Sequence, residues 1–192
     1  MSGLPAFTVD GCLPPGDYAM TLDELRASML VLGPGPPKDH PEWDAAWRHR
    51  LVDNLALLIG QLWAVGIDQV YIDGSFVEDK DHPNDIDGYF VCDPRRFASG
   101  ELAHALNKLD PKKCWTWENG ARTASIGSAK RQLPMWHAYH VELYPHYAGL
   151  IAGRDRHGQP LEFPAFFRKT RRHDRPKGIV QIVKPVAGEY TP

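Results

Sequence analysis

The sequence predicts an α/β fold of the α+β kind: a small mixed or antiparallel sheet with helices mainly on one face. Three observations lead there. One long segment carries an apolar stripe at helical spacing. Four short runs have the alternation or apolar density of strands. The chain has 192 residues, which suits a single domain.

The elements follow in order. Residues 1–40 read as an irregular lead-in with one short helix, and residues 41–192 as the domain proper. "GCLPPGDYAM" is rich in Pro and Gly and favours irregular structure. Thr21 followed by Glu24 fits a capping box, so a short helix starts there. "GPGPP" at 33–37 cannot continue a helix. Trp47, Leu51, Leu55, Leu58, Leu62 and Val65 then line one face of a helix over about 42–65, which Gly66 is placed to end. "IDQVYID" reads as a strand leading into the Gly74–Ser75 pair, and "DIDGYFVCD" as a second strand. Ser99 can cap a helix through about Leu109. Residues 110–136 are ambiguous, with "KKCWTW" strand-like and the following stretch loop or helix. "HAYHVELYPHY" (137–147) reads as a third strand. "PLEFPAFFRKTRRHD" suggests a helix broken near Pro164, and "GIVQIV" a last strand.

Composition excludes several classes. At 43% hydrophobic and 24% charged residues the chain can bury a core, and a net charge of −2 rules out a basic nucleic-acid coat. Cys12, Cys92 and Cys114 are few and far apart, which argues against a disulfide scaffold and for a reducing, cytoplasmic setting. No apolar stretch approaches the roughly 20 residues of a membrane span, and no signal-peptide pattern is present. The charge is uneven, however. Residues 73–93 hold seven acids against Lys80, and residues 154–184 hold nine bases against three acids. That pattern speaks to partners and ions rather than to fold.

The acids carry the chemistry. Strand side chains alternate faces, so Asp85 and Asp87 point one way with Ile86 opposite. On the third strand His140, Glu142, Tyr144 and His146 share a face, and Tyr139, Val141, Leu143 and Pro145 share the other. If the two strands are neighbours, Asp85, Asp87 and Glu142 converge. Close carboxylates raise one another's pKa, and a divalent cation relieves the repulsion. Mg²⁺ suits such hard oxygens and leaves positions open for substrate phosphates; Mn²⁺ is the alternative. Gly74 lets backbone approach a ligand, and the Ser75 hydroxyl can donate to a phosphate oxygen. A DxD pair also serves sugar-nucleotide transferases, but those need a doubly wound sheet ahead of it, where this chain reads as helices and linker. His137, His140 and His146 lack regular zinc-ligand spacing. The tryptophans suit packing, as Trp47 and Trp63 lie on or beside the helix stripe.

"GS" at 74–75, nine intervening residues, "DID" at 85–87 and a later strand acid in "VELY" together resemble the nucleotidyltransferase superfamily that includes DNA polymerase beta. The fuller strings "YIDGSFVEDKDHPNDID", "LPPGDYAMTLDELR" and "KGIVQIV" resemble its short, stand-alone bacterial members. The resemblance implies a nucleotidyltransferase-type sheet, with Asp85, Asp87 and Glu142 as catalytic metal ligands and Gly74 and Ser75 on the nucleotide. It implies transfer of a nucleoside monophosphate from a nucleoside triphosphate to an acceptor hydroxyl on RNA (a tRNA end included), a protein or a small molecule. Lys177 is the preferred basic contact to phosphate, and residues 168–177 the expected RNA contact. Such members often act as toxins of toxin–antitoxin or defence pairs, so an antitoxin protein is an expected partner. The rival expectation is a non-catalytic module that binds nucleotide or protein on the same fold.

Overall fold

The computed structural model describes residues 3–125, 129–170 and 173–185. Its centre is a five-stranded mixed sheet of β1 (Asp17–Met20), β9 (Ile179–Ile182), β2 (Val70–Asp73), β3 (Ile86–Val91) and β6 (Val141–His146), side by side in that order. The two outer pairings, β1 with β9 and β3 with β6, are parallel, and the two inner ones are antiparallel. Two small hairpins flank it: β4 (Thr123–Ala124) with β5 (Arg131–Gln132), and β7 (Ile151–Arg154) with β8 (Pro160–Glu162). This is the α+β architecture expected from the pattern.

Helices α1 (Leu22–Arg26), α2 (Met29–Leu32), α3 (Ala45–Ala64), α4 (Pro94–Ala98), α5 (Glu101–Leu109), α6 (Pro134–Tyr139) and α7 (Phe163–Phe167) connect the strands. Alternation sorts the sheet into two faces. Val70, Ile72, Ile86, Phe90, Val141, Leu143, Val180 and Ile182 join the main core with Leu51, Leu55, Leu58, Ile59 and Leu62 of α3. The other face carries a smaller cluster of Tyr89, Phe167 and Ile179, edged by Tyr71, Tyr144 and Phe163, under α7. Helices therefore lie mainly on one face.

Local signals behave as their chemistry requires. Thr21 and Glu24 form the reciprocal capping box of α1. Asp44 caps α3 by accepting from the Trp47 N–H, and Gly66 takes a φ of +82° just beyond its end. One residue inside that helix breaks the apolar stripe. Arg48 is fully buried and donates to the carbonyls of Leu30 (2.6 Å), Phe76 (2.8 Å), Glu78 (3.2 Å) and Lys80 (2.6 Å). Its guanidinium lies 3.9 Å from the Trp43 ring centroid. Burial lowers its pKa to about 10, so it stays charged at neutral pH.

Five local expectations change. Residues 17–20, expected as irregular, form edge strand β1, bonded to β9 with Val183 N–H donating to the Met20 carbonyl. Residues 137–139 belong to α6, not to a strand, because Pro134 opens a helix that closes at His140 in the left-handed region (φ 52°). Ser99 ends α4, which Asp93 caps, and its hydroxyl accepts from the Glu101 N–H at the start of α5. "KKCWTW" has no ladder; Trp115 is buried by side-chain partners, its N–H donating to Asn107 Oδ1 and its indole to Gln61. Pro164 opens α7 instead of breaking a longer helix, as suits a residue lacking the N–H.

Strand β6 ends the sheet. In a parallel ladder, alternate residues point their backbone groups to opposite edges. Leu143 faces outward, where its carbonyl accepts from Trp117 Nε1 (2.8 Å) and its N–H meets Met135 Sδ (3.4 Å). Pro145, two residues on, has no N–H to offer.

Candidate active site

Strand register assembles the acids. Asp73 of β2 stands opposite Asp87 of β3, and Asp87 stands opposite Glu142 of β6. With strands about 4.8 Å apart, the three form a row roughly 10 Å wide on the face away from α3. Asp85, buried just before β3, accepts from Trp136 Nε1 at 2.8 Å. Asp85, Asp87 and Glu142, singled out on the sequence, are therefore brought together. Asp73 was missed, although the alternation from Tyr71 places it on the same face and it immediately precedes Gly74.

The row is electrostatically loaded. Burial, then Asp85 and Glu142, push the Asp87 pKa up to about 8, with Lys130 acting the other way and Asp73 adding to the rise. Burial also raises Asp73 to about 7, against the pull of Lys177. Glu142 is held by its neighbours. Its Oε1 accepts from the Leu133 N–H (3.0 Å), its Oε2 accepts from the Tyr144 hydroxyl (2.6 Å), and Arg122 Nη1 lies 3.6 Å away. Burial and the Glu142 charge raise the Tyr144 pKa, keeping the phenol protonated.

After Asp73 the chain enters a 3-10 turn, Gly74–Val77. Gly74 has a φ of +76°, and a Cβ there would sit 2.8 Å from Asp87 Oδ2. The turn is thus folded directly against the central carboxylate. Ser75 beside it is half-buried, and its hydroxyl makes no hydrogen bond with the described residues.

Lys177, expected as a phosphate contact, has its ammonium turned inward. It is buried and donates to Glu78 Oε1 (2.7 Å) and the Gly74 carbonyl (3.3 Å). Asp73 Oδ1 lies 3.1 Å away as an ion pair without hydrogen-bond alignment. Burial disfavours its charge, yet Asp73 and Glu78 outweigh that and raise its pKa. Lys177 braces the turn from beneath. Elsewhere in the 168–177 segment, Arg168 pairs with both oxygens of Asp17, and Arg175 with Asp10. Arg171 and Arg172 lie outside the described residues.

Could these residues hold a cation? Among the described residues, no group of three or more His, Cys, Asp or Glu side chains is arranged to enclose one unaided. Mg²⁺ acting on phosphates needs less: one or two carboxylates, with the substrate and water completing its shell. Asp85 and Asp87 supply hard oxygens of that kind. A shallow cavity of about 560 Å³ at the end of α5, lined by His104, Lys108 and Lys113 among others, contains none of these acids.

Fold and site together define an α+β domain with a row of carboxylates beside a Gly-Ser turn. The chain belongs to the family of unknown function DUF6932, whose model matches residues 5–183. No curated protein and no solved structure matches it. No helix among the described residues is long and apolar enough to cross a membrane.

Proposed function

We propose that the protein is a metal-dependent nucleotidyltransferase, moving a nucleoside monophosphate from a nucleoside triphosphate to an acceptor hydroxyl. The observation that carries this reading is the register of Asp73, Asp87 and Glu142 with the Gly74 turn packed on Asp87. In it, the turn's backbone and the Ser75 hydroxyl bind the phosphate chain. Asp85 and Asp87 would hold Mg²⁺ or Mn²⁺, which would supply positive charge to the phosphate oxygens. Glu142 would help to hold that cation and take the proton of the acceptor hydroxyl. The acceptor oxygen bonds to the α-phosphorus, the bond from that phosphorus to the bridging oxygen breaks, and pyrophosphate leaves. Lys177 and Asp73 keep the turn in place. Most of the work is positioning and charge stabilisation, as in phosphoryl transfer generally.

The test is to incubate the protein with each α-labelled triphosphate, Mg²⁺ and total cell RNA or protein. Label should pass to an acceptor with the wild type and not with Asp87→Asn. Binding of a triphosphate without transfer to any acceptor would favour a nucleotide-binding module on the same fold. The absence of both binding and transfer for all four nucleotides would remove the reading.

A further inference from the structure

The reading above leaves a conflict at Glu142. A residue meant to serve a metal or a proton transfer has its oxygens engaged by Leu133, Tyr144 and Arg122. The last of these is a cation, and a cation beside a metal ligand competes with the metal for it. Arg122 Nη2 also donates to the Tyr144 hydroxyl at 3.2 Å, so guanidinium, phenol and carboxylate form one network. Glu142 and Tyr144 outweigh the effect of burial and raise the Arg122 pKa, so the guanidinium remains charged.

Arg122 sits where β4 begins, and its place is well fixed. Arg131 of β5 donates twice to the Arg122 carbonyl, at 3.0 and 2.6 Å. The His137 ring of α6 bonds to Thr123 Oγ1 at 3.0 Å. The same hairpin region supplies Lys130, the cation acting on Asp87. Lys177 is paired in the interior with Asp73 and Glu78, and Arg168 and Arg175 form more exposed pairs with Asp17 and Asp10. Among the described residues, the β4–β5 hairpin region thus brings two cations to the row, Arg122 beside Glu142 and Lys130 acting on Asp87. An arginine fork matches phosphate oxygens better than any other side chain.

We propose that Arg122 is an exchangeable counter-ion. In the free protein it holds Glu142 through Tyr144, and it passes to the phosphate chain when a nucleoside triphosphate binds, leaving Glu142 to a divalent cation. This rests on the nucleotidyltransferase reading. It makes triphosphate and cation binding mutually reinforcing, because each removes the other's competitor.

A residue that exchanges partners gives changes of opposite sign when removed. Arg122→Gln should weaken binding of a non-hydrolysable triphosphate in the presence of Mn²⁺ by about 10-fold or more, the scale of one charged hydrogen bond. The same variant should bind Mn²⁺ alone several-fold more tightly than the wild type. Arg122→Lys should fall between, and Arg168→Gln should change neither. Calorimetry with Mn²⁺ alone and then with triphosphate reads both, with circular dichroism confirming the fold. If both affinities fall together, Arg122 merely organises Glu142 and the exchange is wrong. If neither changes in Arg122→Gln or Arg122→Lys, the hairpin does not meet phosphate, and the enzymatic reading stands without it. If the wild type binds none of the four triphosphates, both fall.

Discussion

Asp87 concentrates the cost of the site in one side chain. Its ordinary pKa of 3.8 rises to about 8 in the folded chain. The folded state therefore keeps a proton that the unfolded state releases. That contribution to stability is complete below about pH 4 and is lost as pH rises toward 8. Asp73, raised to about 7, adds to the same decline. The melting temperature should fall between pH 5 and pH 9, by about 2–4 °C for each kcal/mol lost. Asp87→Asn should flatten that decline and, on the proposed reaction, reduce label transfer by about 100-fold or more. Scanning calorimetry across pH checks the first effect, and an unfolded Asp87→Asn protein would mean the carboxylate is structural. Gly74 offers a companion test. Gly74→Ala places a Cβ against Asp87 at positive φ, whereas Gly158→Ala meets the same positive φ with nothing within 4 Å. Both should lose roughly 1 kcal/mol to backbone strain. Only Gly74→Ala should also weaken Mn²⁺–triphosphate binding by about 10-fold, a difference titration calorimetry resolves.

At the scale of elements, Arg48 ties α3 to the spacer between the Gly-Ser turn and Asp85. Arg48→Met would leave four carbonyls without their donor, three of them from residues 76, 78 and 80. Unpaired buried polar groups cost about 1–3 kcal/mol each, so a loss of about 3–5 kcal/mol is expected. The urea midpoint should drop on the order of 1–2 M; an unchanged midpoint would show the loop to be held by other contacts. Arg48 also illustrates what the sequence can and cannot disclose. Period-two alternation made Asp85, Asp87 and Glu142 legible as one face, and the helical stripe made α3 legible. Nothing local marks Arg48 as buried, because its acceptors lie 18 to 32 residues away. The acids embracing Lys177 lie 99 and 104 positions from it, out of reach of any sequence pattern. Arg122 lies just before a two-residue strand, too short for any periodicity to show.

At the scale of the molecule, the N-terminal segment belongs to the sheet. Leu13 and Met20 enter the main core, Asp17 binds Arg168, and the Gly11 carbonyl accepts from the Asp79 N–H at 2.7 Å. The Pro- and Gly-rich composition of the segment hid this, since a four-residue edge strand bonded to the far end of the chain leaves little local signature. Deleting residues 1–20 should therefore give no cooperative unfolding transition, because it exposes the β9 edge and opens the core. A truncated chain that is soluble and melts sharply would show residues 21–192 to be self-sufficient.

The closed edge at β6 bears on assembly. Trp117 and Met135 occupy the outward backbone groups of Leu143, and Pro145 withholds another, so a strand from a second chain finds no continuous row to pair with. Growth of the sheet into intermolecular ribbons is blocked on the side that carries Glu142. Any chain approaching the row from that side meets side chains rather than an open strand edge.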